Sequence, residues 1–232
     1  MDAHILLDRL ISDPAATLKS LLIIGHLIGL ILGLGTATLL DIFIVKFIIR
    51  RIVSEDHYTV ISFFSKIVVL GLIILWMTGI GFLVFYSYFD PIKLSNQKIW
   101  AKLIVVSVLT LNGLFIHRTV LPLIRENIGR MLFDGFSSGQ RFLLLTSGGI
   151  SATSWYVPFI LGAFPQFNFL PVLPVVLIYV AILLTVIAAT QLFTLITTPY
   201  DRSVIASHAG EGSRKPLAAL SQGNSGVLTS RA

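Results

Sequence analysis

Residues 21 to 49 read LLIIGHLIGLILGLGTATLLDIFIVKFII, an apolar run longer than the ~20 residues with which a helix crosses roughly 30 Å of hydrocarbon. Backbone polar groups in a bilayer must be satisfied internally, so such a run is a helix or nothing. The pattern recurs along the chain. Apolar segments at about 58–88, 100–121, 142–163 and 172–197 are bounded by polar or proline-containing stretches. The expectation is an all-α, polytopic membrane helix bundle of about five transmembrane helices.

Composition excludes the alternatives. The chain is 55% hydrophobic and 12% charged, against about 25% charged residues in a soluble domain. Its formal charge of +6 would suit a nucleic-acid partner in a soluble protein, but the basic residues fall mostly between the apolar runs. That distribution speaks for membrane orientation and for no nucleic acid. Cysteine is absent, so disulfides and thiolate metal sites are excluded.

The segment 1–19 lacks the layout of a secretory signal, and HILLDRLIS at 4–12 followed by Asp13-Pro14 predicts a short interfacial helix. Ser54-Glu55-Asp56 is a helix start that places the second span from about Tyr58. Pro122 is expected to close the third span and Pro199 the fifth, with a surface helical turn over 125–141. Residues 200–232, poor in apolar side chains, read as a disordered cytoplasmic tail.

Five spans put the termini on opposite sides. Eleven Lys and Arg then fall on the side of Arg50, Arg125 and the tail, against five on the side of Arg9 and Lys98. The positive-inside rule therefore gives an inner membrane location with the N-terminus outside and the C-terminus cytoplasmic.

Two features stand out within the spans. Gly25, Gly29, Gly33 and Ala37 recur every four residues and lead to Asp41. They form a helix-packing seam along which a neighbouring backbone can come close. Asp41 and Lys66 each lie about eight residues from the nearest helix end, which matches them in depth at ~12 Å. Asn112 and His117 are expected near the same level, together with Ser147, Gln191 and Thr194. Ionisable groups in a bilayer pair or face water. The layer is therefore either a structural Asp41–Lys66 ion pair with Asn112 bonded across helices, or a cytoplasm-facing pocket for an ion, proton or small solute.

His26 and His117 fall on opposite halves of the bilayer, so one haem cannot join them. A haem with a single histidine ligand, or copper at His26, stays open as a third reading. His26 otherwise reads as a packed histidine bonded to a neighbouring helix. No nucleophile triad, phosphate loop or metalloprotease motif is present, so no enzyme, cofactor or metal is expected.

The order of the His26-Leu27-Ile28-Gly29 start leading to Asp41, Ser62 with Lys66, Lys102 to Asn112-Gly113, and Ser154-Trp155-Tyr156 resembles a group of uncharacterised bacterial multi-pass inner-membrane proteins. That group is distantly similar to copper-resistance D-type membrane proteins. The resemblance covers about residues 20 to 163 and implies a multi-pass protein of the bacterial inner membrane. The leading expectation is a protein handling a small solute, ion or proton at Asp41, Lys66, Asn112 and His117. Its rival is a scaffold or accessory subunit whose partners are the lipid bilayer and a second copy or another membrane subunit.

Overall fold

A computed structural model describes residues 11–50, 54–129 and 136–212, and every element among them is helical. Side chains at 47–50, 138, 169 and 193–212 are outside this description. So are residues 4–10 of the helix expected at 4–12 and the tail beyond residue 212. Among the described residues, four helices are long and apolar enough to cross a membrane: Pro14–Lys46, Glu55–Phe89, Gln97–Glu126 and Val172–Leu192.

The first is built from α1 (Pro14–Leu30), a π-helical stretch (Ile31–Gly35) and α2 (Thr36–Arg50). Asp13-Pro14 ends the helical stretch at residues 11–12, as expected of it, and it also starts a long helix. The Asp13 carboxylate accepts from the Ala16 N–H at 3.0 Å, and proline at the first helical position forfeits a hydrogen bond that position never makes. Helix therefore runs through the boundary expected at residues 19 and 20.

Next comes α3 (Glu55–Phe89), opened by a reciprocal cap in which Ser54 Oγ accepts from the His57 N–H and His57 Nδ1 accepts from the Ser54 N–H. A 3-10 turn (Pro91–Ser95) leads to α4 (Gln97–Phe115), a second π-helical stretch (Ile116–Val120) and α5 (Leu121–Glu126). Pro122 does not end this span. A proline removes one N–H and crowds the carbonyl four residues earlier, and the π-helical stretch just before it absorbs both effects by widening the turn. Gly129 follows with φ 82°, a backbone conformation that favours glycine.

The helix α6 (Ser138–Ala163) starts on a second reciprocal cap, between Ser137 and Gln140. It is not among the four most apolar helices, because Thr146 to Ser154 is mostly serine, threonine and glycine. A 3-10 turn (Pro165–Phe169) precedes α7 (Val172–Gly212). Helix here continues past Pro199 and through residues expected to be disordered. An internal proline costs a hydrogen bond without forcing an end, and the alanines beyond it favour helix.

The chain divides into two compact units, residues 1–188 and 189–232. The second consists, where described, of the final part of α7. In the first, α1 and α3 are antiparallel and closely packed. A Cβ built on Gly71 would lie 2.7 Å from the Gly33 Cα and 2.9 Å from the Gly29 carbonyl oxygen. Over this crossing sits Trp155 of α6, 3% exposed, in a cluster with Ala37, Leu75 and Leu109. Toward one end Val120, Ile124, Phe136 and Leu144 pack together, so Phe136 is buried, whereas Arg125, Glu126 and Gly129 of the expected surface turn over 125–141 are exposed. At the other end Ala101, Leu161 and Val175 form a further cluster. Leu39, Ile42, Phe63, Met77, Leu111 and Ile178 are exposed, the arrangement a lipid solvent favours.

Candidate functional site

Helix pairing fixes the level of each polar group. Gly33 faces Gly71 near the middle of both long helices, and Trp76 Nε1 donates to Thr110 Oγ1 at 2.9 Å, which ties α3 to α4. Counting from these pairs at ~1.5 Å per residue puts Asp41 on α2 about 12 Å from the glycine crossing, just inside a hydrocarbon half-thickness of ~15 Å. Asp41 is half-buried and makes no hydrogen bond or ion pair among the described residues. It is also the sole Asp or Glu between residues 14 and 54, and none occurs within 57–89, 91–125 or 135–200. Between residues 14 and 54, and through the apolar segments at 57–89, 91–125 and 135–200, Asp41 is thus the single carboxylate.

The expected cluster does not assemble around it. Lys66 on α3 is exposed and forms no ion pair with Asp41. It lies about 7.5 Å along the helix from Gly71, from where its long side chain can carry the ammonium toward the headgroups instead of to a partner. Asn112 on α4 is buried and donates through Nδ2 to the Ser147 carbonyl on α6 at 2.9 Å. Its level corresponds to Ile74 on α3, roughly 16 Å along the helix axis from that of Asp41. His117 is half-buried within the π-helical stretch Ile116–Val120. Gln191 is half-buried and has a partner, whereas Thr194 lies outside the described side chains.

The expectation failed on length. Depth was measured from helix ends, yet 35 residues of α3 span ~52 Å, far more than the hydrocarbon, so distance from an end does not give depth. Asn112 instead borders a cavity of about 370 Å³ with Val108, Leu111, Phe115, Leu143, Thr146 and Ile150. This cavity is open and its lining is almost wholly apolar.

The glycine seam meets its partners along its whole length. A Cβ on Gly25 would sit 3.0 Å from Thr78 Cγ2, and Gly29 abuts Gly71, Ile74 and Leu75. Gly33 lies against both Gly71 and the indole of Trp155, and Ala37 is 5% exposed. His26, next to this seam, hydrogen-bonds through Nδ1 to Thr78 Oγ1 at 2.8 Å. The Thr78 hydroxyl donates its proton to the Ile74 carbonyl at 2.7 Å, so the histidine Nδ1–H is the donor. Phe82 stands edge-on to its ring.

Three contacts were illegible in the sequence. Thr38 and Tyr156 pair their hydroxyls at 2.9 Å, linking α2 to α6. Ser154 and Tyr179 do the same at 2.8 Å, linking α6 to α7. Trp155 lies in the core with its Nε1–H lacking an acceptor among the described residues. The small residues around it were the one available signal, since a ring that large reaches a helix crossing only past glycines and serines. No three His, Asp or Glu side chains converge among the described residues as a metal site would require. No protein-family model, curated protein or solved structure matches this chain.

Proposed function

We propose that this membrane protein handles a proton or a small cation at Asp41, in a bacterial inner membrane that α6 crosses as a fifth span, with the N-terminus outside and the C-terminus cytoplasmic. The observation that carries the reading is the unpartnered Asp41 carboxylate near the hydrocarbon edge. A carboxylate at that depth exchanges between a protonated form and a form bound to a cation or to water, and intramembrane acids mark such pathways. The glycine crossing above it is closed by Trp155. Movement of an ion beyond Asp41 therefore requires that crossing to open.

The test is flux in proteoliposomes loaded with a pH-sensitive dye, run with and without sodium or potassium gradients. Asp41→Asn, which keeps the shape of the side chain, should slow proton or cation movement at least tenfold while leaving the thermal midpoint unchanged. Equal flux in the two proteins, or none in either, would refute the proposal.

A second reading, a scaffold or accessory subunit, is favoured by the Asn112 bond to the Ser147 carbonyl. That bond spends the one buried amide of α4 on helix packing. Under this reading Asp41→Asn is silent in flux, and the protein co-purifies with a partner subunit.

A further inference from the structure

At the end of the bundle remote from Asp41, two lysines come together on one helix. Lys98 and Lys102 are four residues apart near the start of α4 and so share one face of it. Lys98 is 6% exposed, and its ammonium donates to the Phe164 carbonyl and to Asn168 Oδ1, each at 2.9 Å. Both acceptors are neutral, and one of the three ammonium protons remains unplaced. Lys102 is half-buried, and its ammonium has no hydrogen bond or ion pair among the described residues. Its Nζ lies 3.4 Å from where a side chain on Gly162 would begin. It is also within electrostatic reach of Lys98 and of His26.

No described carboxylate is free to neutralise these groups. Asp90 is held by Lys93 at 2.7 Å, a bond that raises the Lys93 pKa above the usual lysine value, and Asp13 caps α1. Two ammonium groups close together at a membrane boundary, with no counter-charge, are costly unless an anion joins them. The level also matters. Counting from the Trp76–Thr110 pair, Lys102 lies ~20 Å from the glycine crossing, beyond the hydrocarbon edge and in the layer of lipid phosphates. Trp100 and Tyr88, 47% and 80% exposed, mark that layer. Gly162 is exposed, so the approach to the ammonium is open from outside the bundle.

We propose that Lys102, with the remaining proton of Lys98, binds a phosphate group beside Gly162, supplied by an anionic phospholipid headgroup or by a free phosphate. The site lies ~30 Å along the bundle axis from Asp41 and does not depend on the reading given to that residue.

The whole protein in a phosphate-free maltoside detergent provides the test. Bound lipid is counted by native mass spectrometry, and the thermal midpoint is followed during titration with phosphatidylglycerol, diacylglycerol or inorganic phosphate. Phosphatidylglycerol should bind saturably and raise the midpoint where diacylglycerol does not. Lys102→Gln should weaken the apparent Kd at least tenfold, while Lys102→Arg and Lys93→Gln bind as the unmodified protein does. Saturable stabilisation by inorganic phosphate alone would identify a free anion as the source. A lipid effect without a phosphate effect would identify the headgroup. The proposal is overturned if no phosphate-bearing ligand shifts the midpoint of the unmodified protein, if diacylglycerol acts equally, or if Lys102→Gln binds undiminished. Should Lys102→Gln fail to fold, the contrast between phosphatidylglycerol and diacylglycerol on the unmodified protein decides alone.

Discussion

At the scale of single residues, space decides which glycines matter. A methyl on Gly71 would press on the backbone of Gly33 and Gly29, which cannot rotate away, whereas a methyl on Gly79 would meet nothing within 4 Å. Gly71→Ala should therefore destabilise the protein by about 1–3 kcal/mol as an overpacked contact, and Gly79→Ala should leave it unchanged or slightly stabilised. Reversible unfolding in mixed detergent separates the two. Trp155 offers a matched pair of a different kind. Its ring fills the crossing but its N–H bonds to nothing described. Trp155→Ala should cost about 3–5 kcal/mol, and Trp155→Phe, which keeps an aromatic ring and loses no hydrogen bond, on the order of 1 kcal/mol. A comparable loss for both would mean that the indole N–H has a partner after all. The four-residue spacing of Gly25, Gly29 and Gly33 was legible in the sequence because helix geometry converts it directly into a face. The opposing Gly71 was not, because a single glycine carries no period.

At the scale of elements, one amide adds a hydrogen bond to the apolar packing of α4 on α6. Asn112 donates to the Ser147 carbonyl, which as a helical acceptor is also positioned for the N–H four residues on. Loss of the asparagine therefore leaves no bare acceptor, and Asn112→Ala should cost only about 0.5–1.5 kcal/mol. Asn112→Leu should cost less, since the adjoining apolar cavity of about 370 Å³ can take up the larger side chain. Thermal midpoints of the two variants check the order; a leucine variant weaker than the alanine one would mean that the amide does more than pack. One helix start was readable in advance, at Ser54 with its acidic first turn, whereas the cap of Ser137 and Gln140 falls inside what was expected to be a surface turn. Helix ends were less so. Pro122 and Pro199 looked like stops, yet a π-helical widening admits the first and helix continues past the second. Proline constrains its own turn, and whether the neighbouring turn can yield depends on packing that one-dimensional pattern does not contain.

At the scale of the whole molecule the open matter is whether α6 crosses, because that sets which side each later segment occupies. By apolarity α6 is the weakest of the long helices, but its two ends are tied to different levels. Leu144, near its start, packs with Val120 and Ile124, while Phe164, just past its end, accepts from Lys98 at the beginning of α4. Those two levels are more than 20 residues apart along one span, and 26 residues of α6 supply ~39 Å, enough to cover the hydrocarbon. Its small residues are tolerated in a bilayer because several meet other helices: Ser147 is buried beside Asn112 of α4, and Gly149 and Ser154 meet Val186 and Tyr179 of α7. The absence of cysteine makes this directly measurable. Single cysteines at Ser95 and Gln166 should react with a membrane-impermeant thiol reagent from the same side of sealed vesicles, and a cysteine at Asn127 from the other. If Gln166 reacts with Asn127 instead, α6 does not cross and the chain has four spans. Both termini would then share a side, and the excess of arginine near Arg125 would no longer predict where the C-terminus lies.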